Sequence, residues 1–304
     1  MARNNAKCTC CGRRYAVDTM TGTAMPNRGG RVAYMCGDCA TRNRYYHTSN
    51  NETQGTPKAN AVGVGHEIEL AYHDDFARNV LFEYGTIPTN DSSLHGSRTC
   101  EFVTGIQQGL NISSKMWATL ESLKQGGHIQ LNDSCGTHFH VSVDSMKDRN
   151  GQQVYMGYIR RFYHSLFVPL AKAMRENPEK TKALFGRNFT GYARDIDENA
   201  NANNRYNFVN VTNESNVEFR LNRFVTAKQA QTVTKMEVEM VKCIVTNFCE
   251  HFNDTEIDAR RYYKKIHYER TGEKVASQLE YRKHKADIAA AKLVKIFHKY
   301  AEQI

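Results

Sequence analysis

Between Val62 and Leu70 the chain alternates with a period of two. Val62, Val64, His66, Ile68 and Leu70 fall on one side, while Gly63, Gly65, Glu67 and Glu69 fall on the other, which is the pattern of a strand. Two carboxylates therefore project side by side above two glycines. A solvated strand face would look the same. Adjacent like charges repel, however, unless a cation or a shared proton holds them, and hard oxygen ligands of this kind suit Mg²⁺ or Mn²⁺. The same period recurs at Thr99–Thr104, where Glu101 opposes Cys100 and Phe102. It recurs at Thr137–Val143, where His138, His140 and Ser142 oppose Thr137, Phe139, Val141 and Val143. A further strand pair is predicted over 205–211 and 216–221, with Glu218 and Arg220 opposite Val217, Phe219 and Leu221.

Helical spacing separates these strands. A helix is expected around Asp75–Tyr84, and another over 111–125 carries Ile112, Met116, Leu120 and Leu123 on its packed face. A long amphipathic helix is predicted from Val154 to Glu176, with a kink or shortening at Pro169. Residues 188–204 read as a polar loop or flap containing Arg194 and Asp195. Helices over 229–252 and over 260–300 follow, the second one basic.

Composition narrows the classes. The 304 residues suffice for one large domain or two, and 40% hydrophobic with 24% charged content is ordinary for a globular protein. No apolar run approaches the roughly 20 residues of a membrane span, and the first residues carry no apolar h-region, so no signal peptide, no membrane and a cytoplasmic setting are expected. A net charge of +9 favours an acidic partner, with nucleic acid, a nucleotide and an anionic substrate all open.

Five of the nine cysteines lie within the first 39 residues. Cys8-Thr9-Cys10-Cys11 and Cys36-Gly37-Asp38-Cys39 both have Cys-x-x-Cys spacing, so Cys8, Cys11, Cys36 and Cys39 are predicted to hold a structural Zn²⁺ in a zinc-ribbon-like module. Cys10 is a spare that could replace Cys8 or Cys11. The stretch between the knuckles, Arg13 to Met35, reads as a β-hairpin. The arginines around this module and the basic C-terminal helix offer nucleic-acid or protein contacts; a structural clip and a solvated helix face are the alternatives. Expected boundaries are 1–46 for the zinc module, 47–60 for a polar linker, 61–252 for a catalytic domain and 253–304 for a basic helical extension.

The strand faces away from the core thus collect Glu67, Glu69, Glu101, His138, His140, Glu218 and Arg220, with Arg205 nearby. The two histidines suit either metal or phosphate. Glu218 with Arg220 suits either a surface ion pair or a metal ligand beside a phosphate clamp. On one concave face this set would bind divalent cations and a polyphosphate.

In order, Gly65-x-Glu67-x-Glu69, Glu101-Phe102-Val103-Thr104, Asn132-x-Ser134-Cys135-Gly136-x-His138-x-His140, Arg205-Tyr206-x-x-x-Asn210 and Val217-Glu218-Phe219-Arg220 resemble the amidoligases. These are carboxylate–amine ligases with a glutamine-synthetase-like fold. The likeness spans roughly 61–250, and the family's Asp-Gly-Ser turn stands here as Asp91-Ser92-Ser93. The resemblance implies an α+β fold, a curved antiparallel sheet backed by helices, with ATP over the concave face. It implies Mg²⁺ or Mn²⁺ at Glu67, Glu69, Glu101, His138 and Glu218, with phosphate contacts from Arg205 and Arg220 and a metal or nucleotide contact from His140. Glu67, Glu69, Glu218 and Arg220 would carry catalysis. The implied reaction joins a carboxylate to an amine, on small molecules or protein side chains, through an acyl phosphate. Two rivals use the same residues: a metal-dependent nuclease or other phosphoryl-transfer enzyme, and a non-catalytic binding protein on a ligase-like scaffold.

Overall fold

The computed structural model describes residues 5–7, 14–16, 20–24, 32–36, 62–83, 86–89, 91, 93–96, 98–104, 107–108, 111–143, 154–213, 216–249 and 278–304. Four short strands come first: β1 (Asn5–Lys7), β2 (Arg14–Ala16), β3 (Met20–Ala24) and β4 (Val32–Cys36). β1 pairs antiparallel with β2, and β3 with β4 from Met20 opposite Cys36 to Ala24 opposite Val32. The latter pair is the hairpin expected between the two cysteine knuckles. Cys8, Cys10, Cys11 and Cys39 lie outside the described residues, as does the linker over 47–60, and only the backbone of Cys36 is described.

The remaining elements make an α+β structure with an antiparallel sheet whose main run has six strands, and with seven helices among the described residues. The chain forms two compact units. One takes the described residues before 58 together with 64–138 and 224–227; the other takes 58–63, 139–223 and 228–304. No helix among the described residues is long and apolar enough to cross a membrane.

The first unit is built on β5 (Val62–Tyr72), the alternating run that opens the sequence pattern. After it come α1 (Asp75–Glu83), β6 (Ile87–Thr89), β7 (Thr99–Val103), β8 (Gln107–Gln108), α2 (Asn111–Gln125) and β9 (Ile129–Gln130). β7 pairs antiparallel with β5 on one side and with β6 on the other, and β8 and β9 also pair with β5. Asp74 starts α1 by accepting the Ala77 N–H at 3.2 Å, the bond an N-cap supplies. A hydrogen bond with His128, 2.7 Å away, holds the Asp74 carboxyl below its usual range.

The apolar face of β5 and β7 buries Ile68, Leu70 and Phe102, and α2 contributes Met116, Trp117 and Leu120 to the same core. Trp117 is fully buried, stacked on Phe224 at 5.8 Å, with the His66 ring edge-on at 4.9 Å. His66 therefore behaves as a core residue, and its backbone N–H donates to Thr104 Oγ1 at 2.8 Å. Helix α2 ends in a Schellman arrangement. Gly127 takes φ +73°, the His128 N–H reaches Leu123 O, and the Gly127 N–H reaches Lys124 O. That stop turns the chain directly into β9.

The second unit contains most of β10 (Thr137–Val143), then α3 (Val154–Arg161), α4 (Tyr163–Glu176), α5 (Pro178–Phe185), β11 (Val209–Asn210), β12 (Val217–Phe219), α6 (Ala227–Cys249) and α7 (Gln278–Ala301). β12 lies between β10 and β11, antiparallel to both. Two expectations change here. The single helix over 154–176 is two, and the break falls at Phe162 (φ −110°, ψ 26°), while Pro169 sits inside α4. The hydrogen-bond ladder runs on through the break, from Phe162 N–H to Tyr158 O and from Leu166 N–H to Phe162 O.

The second change is that the strand pair over 205–221 is shorter than its apolar pattern suggests. Arg194 takes its place at the N-terminal end: the Arg194 N–H donates to Tyr206 O, and the Phe208 N–H donates to Arg194 O. The 188–204 segment does form a loop, fastened by this bridge. The C-terminal basic helix is described over Gln278–Ala301; the residues from 250 to 277 lie outside the description.

Candidate functional site

Register decides what the acidic face becomes. Pairing of β5 with β7 sets Glu69 directly opposite Glu101, and both are almost fully buried, at 5% and 3% exposure. Like charges directly opposite each other on neighbouring strands are destabilising. Asp91 joins them, and one carboxylate oxygen from each of the three lies within 4.8 Å of the others. At such a distance and an effective dielectric of about 20, each pair of ionised carboxylates repels by roughly 3 kcal/mol.

Backbone and loop bonds hold this arrangement. Glu69 Oε2 accepts the Gly136 N–H at 2.6 Å, and the Glu69 N–H donates to Gly136 O at 3.0 Å. Asp91 Oδ1 accepts both the N–H and the hydroxyl of Ser93, each at 2.7 Å, forming an Asx turn. Asn132 and Ser134 fasten His95, just beyond that turn. Asn132 Nδ2 donates to His95 O at 2.6 Å, and the His95 N–H donates to Ser134 Oγ at 2.9 Å.

His138 lies between the two β5 glutamates. Its Nδ1 is 3.1 Å from Glu67 Oε2, and its Nε2 is 3.8 Å from Glu69 Oε1. With the proton on Nδ1, donated to Glu67, the Nε2 lone pair faces a carboxylate oxygen. Two acceptors face to face favour a cation between them.

The second unit assembles a different set. His140 stands opposite Glu218 in the β10–β12 register, and its Nδ1 is 3.0 Å from Asn216 Oδ1. Glu218 Oε1 pairs with Arg220, and Glu218 Oε2 accepts from Asn210 Nδ2 at 2.6 Å. Glu218 and Arg220 are both buried, so this is an interior ion pair. Nearby, the guanidinium groups of Arg194, Arg205 and Arg220 lie 5.8, 5.4 and 5.9 Å from the centre of the Tyr206 ring. That places them within cation–π range.

Of the residues singled out in the sequence, Glu67, Glu69, Glu101 and His138 therefore gather in the first unit. His140, Arg205, Glu218 and Arg220 belong to the second. Asp91 is the addition. The sequence marks it only as a turn residue, although an aspartate leading a Ser-Ser pair just before an acid-bearing strand is a usable signal. No protein-family model and no curated protein matches the chain. The chemistry of the site rests on its own geometry.

Proposed function

We propose that the chain is an ATP-dependent carboxylate–amine ligase that forms an amide through an acyl phosphate, on a curved glutamine-synthetase-like sheet. The observation that carries this reading is the buried Glu69–Glu101 cross-strand pair with Asp91 beside it. An all-oxygen, strongly anionic donor set fits Mg²⁺ or Mn²⁺ and does not suit a thiophilic metal.

Glu69, Asp91 and Glu101 would hold the ion, with Glu67 acting through His138. Bound there, Mg²⁺ neutralises charge on the nucleotide phosphates. The substrate carboxylate attacks the γ-phosphorus of ATP, ADP leaves, and an acyl phosphate forms. The amine then attacks the acyl carbon, the bond to phosphate breaks, and the amine proton passes to a base. Within the second unit Glu218 holds the Arg220 guanidinium in place, the kind of cation that pairs with a phosphoryl group.

Divalent cation should stabilise the chain. At about 100 times its dissociation constant, Mg²⁺ with ATP adds about 2.7 kcal/mol to the unfolding free energy, which raises the melting temperature by several degrees. Differential scanning fluorimetry with and without EDTA reads this directly. Equal melting in both conditions would count against the cation site, and calorimetry showing no Mg²⁺-dependent ATP binding would count against the nucleotide.

A further inference from the structure

Helix α6 carries one acid where its pattern calls for an apolar residue. Glu237 follows Val233 by four positions and precedes Val241 by four, and all three are buried. The Glu237 side chain is 1% exposed. Among the described residues its one side-chain hydrogen bond is at Oε1, which accepts from Asn222 Nδ2 at 2.9 Å. Glu237 Oε2 and Asn222 Oδ1 are buried and have no hydrogen-bond partner among the described residues.

Both leftover atoms are oxygens, and they belong to the two planar groups already joined at one corner. Two acceptors cannot satisfy each other, and turning the Asn222 amide over only moves the conflict to the other oxygen. One proton resolves it.

We propose that Glu237 is a neutral carboxylic acid in the folded chain. Its Oε2–H donates to Asn222 Oδ1, closing a two-bond acid–amide ring that latches α6 to the segment leaving β12. Burial, offset only in part by the Asn222 bond, pushes the Glu237 carboxyl well above its ordinary range. No ion pair among the described residues includes it.

None of the other ionisable groups nearby in sequence bonds to Glu237 among the described residues. On α6, Lys228, Lys235 and Lys242 are exposed, and Glu239 bonds to Lys299 and Tyr300. On the other segment Arg220 pairs with Glu218, and the Arg223 side chain is half-buried. Asn222 lies two residues beyond Arg220, and the same segment is tied down by Arg187, which donates to Arg220 O at 2.8 Å and Leu221 O at 3.0 Å. The latch therefore fixes the chain that carries Arg220, and it does so whether or not the ligase reading holds.

The pH dependence follows from linkage. The folded acid binds its proton more tightly than the unfolded one, so its contribution is fully present below the unfolded value near 4.5. Above that, the unfolded chain ionises first and stability is lost as pH rises, until the folded acid itself ionises. Across that window the folding equilibrium falls about tenfold per pH unit from this group alone.

The test compares the full-length chain with Glu237→Gln, which keeps the shape and the bond from Asn222 without a titrating proton. Urea unfolding at rising pH above about 4.5 should show the variant gaining on the native chain, by up to about tenfold per pH unit until the folded acid ionises. Infrared difference spectra at pH 7 should show a protonated carboxyl C=O band in the native chain that is missing from the variant. Parallel pH curves, or no such band, would overturn the proposal. Because the band is sought in the native chain, the proposal stays testable if the variant folds poorly.

Discussion

Glu101→Gln is expected to lower ATP-dependent turnover by about a hundredfold to a thousandfold, the range seen when a preorganised electrostatic contact is removed from an active site. In the absence of divalent cation the same change should leave the chain as stable as before, or more so. Glu101 faces Glu69 across the β5–β7 register, with Asp91 close by. Removing one of three clustered negative charges relieves a repulsion of roughly 3 kcal/mol per pair at an effective dielectric of about 20. The two effects point in opposite directions, which separates a functional cluster from a structural one. Steady-state assays and urea melts in EDTA read them. A variant that is strongly destabilised yet fully active would show that Glu101 serves the fold alone.

Trp117→Ala has the largest expected cost in stability, about 3–5 kcal/mol for emptying a fully buried aromatic site. The ring is stacked on Phe224 and meets His66 edge-on, so both neighbours lose their packing partner. Phe224 is also the start of the short segment 224–227, which α2 fastens by two further bonds. Lys124 Nζ donates to Val225 O at 2.9 Å, and Glu121 Oε2 accepts the Ala227 N–H at 3.1 Å. Loss of the tryptophan should therefore loosen this return of the chain as well. Equilibrium unfolding in urea measures the cost; a loss below about 1 kcal/mol would mean that the site collapses or that the tryptophan is not central to the core.

Those elements that depend on local periodicity are legible in the sequence. The alternation at 62–70 and 137–143 returns as β5 and β10, and the helical spacing at 111–125 returns as α2 with both ends where expected. What depends on partners distant along the chain is not. Strand pattern puts Glu69 and Glu101 each on a polar face, yet only the register of β5 against β7 makes them direct neighbours.

The shortening of β11 has the same origin. Arg194, outside both strands, takes the backbone groups of Tyr206 and Phe208 that the pattern assigned to the strand pair. Asp91 and Glu237 illustrate two different losses. Asp91 was hidden by its own turn chemistry, whereas Glu237 stood in plain sight at apolar helical spacing, where a buried acid calls for a specific partner. His66 was legible by position, and its buried neighbour Trp117 explains why a polar ring is found on the core face.

The measurement that bears most directly on the ligase proposal is ADP release by the full-length chain with MgATP, against pools of amino acids, amines and peptides, with Glu67→Gln as the control. ADP release is expected to need both a carboxylate and an amine and to disappear in the variant. Release independent of either substrate, or cleavage of nucleic acid without ATP by the native chain and not by the variant, would contradict it.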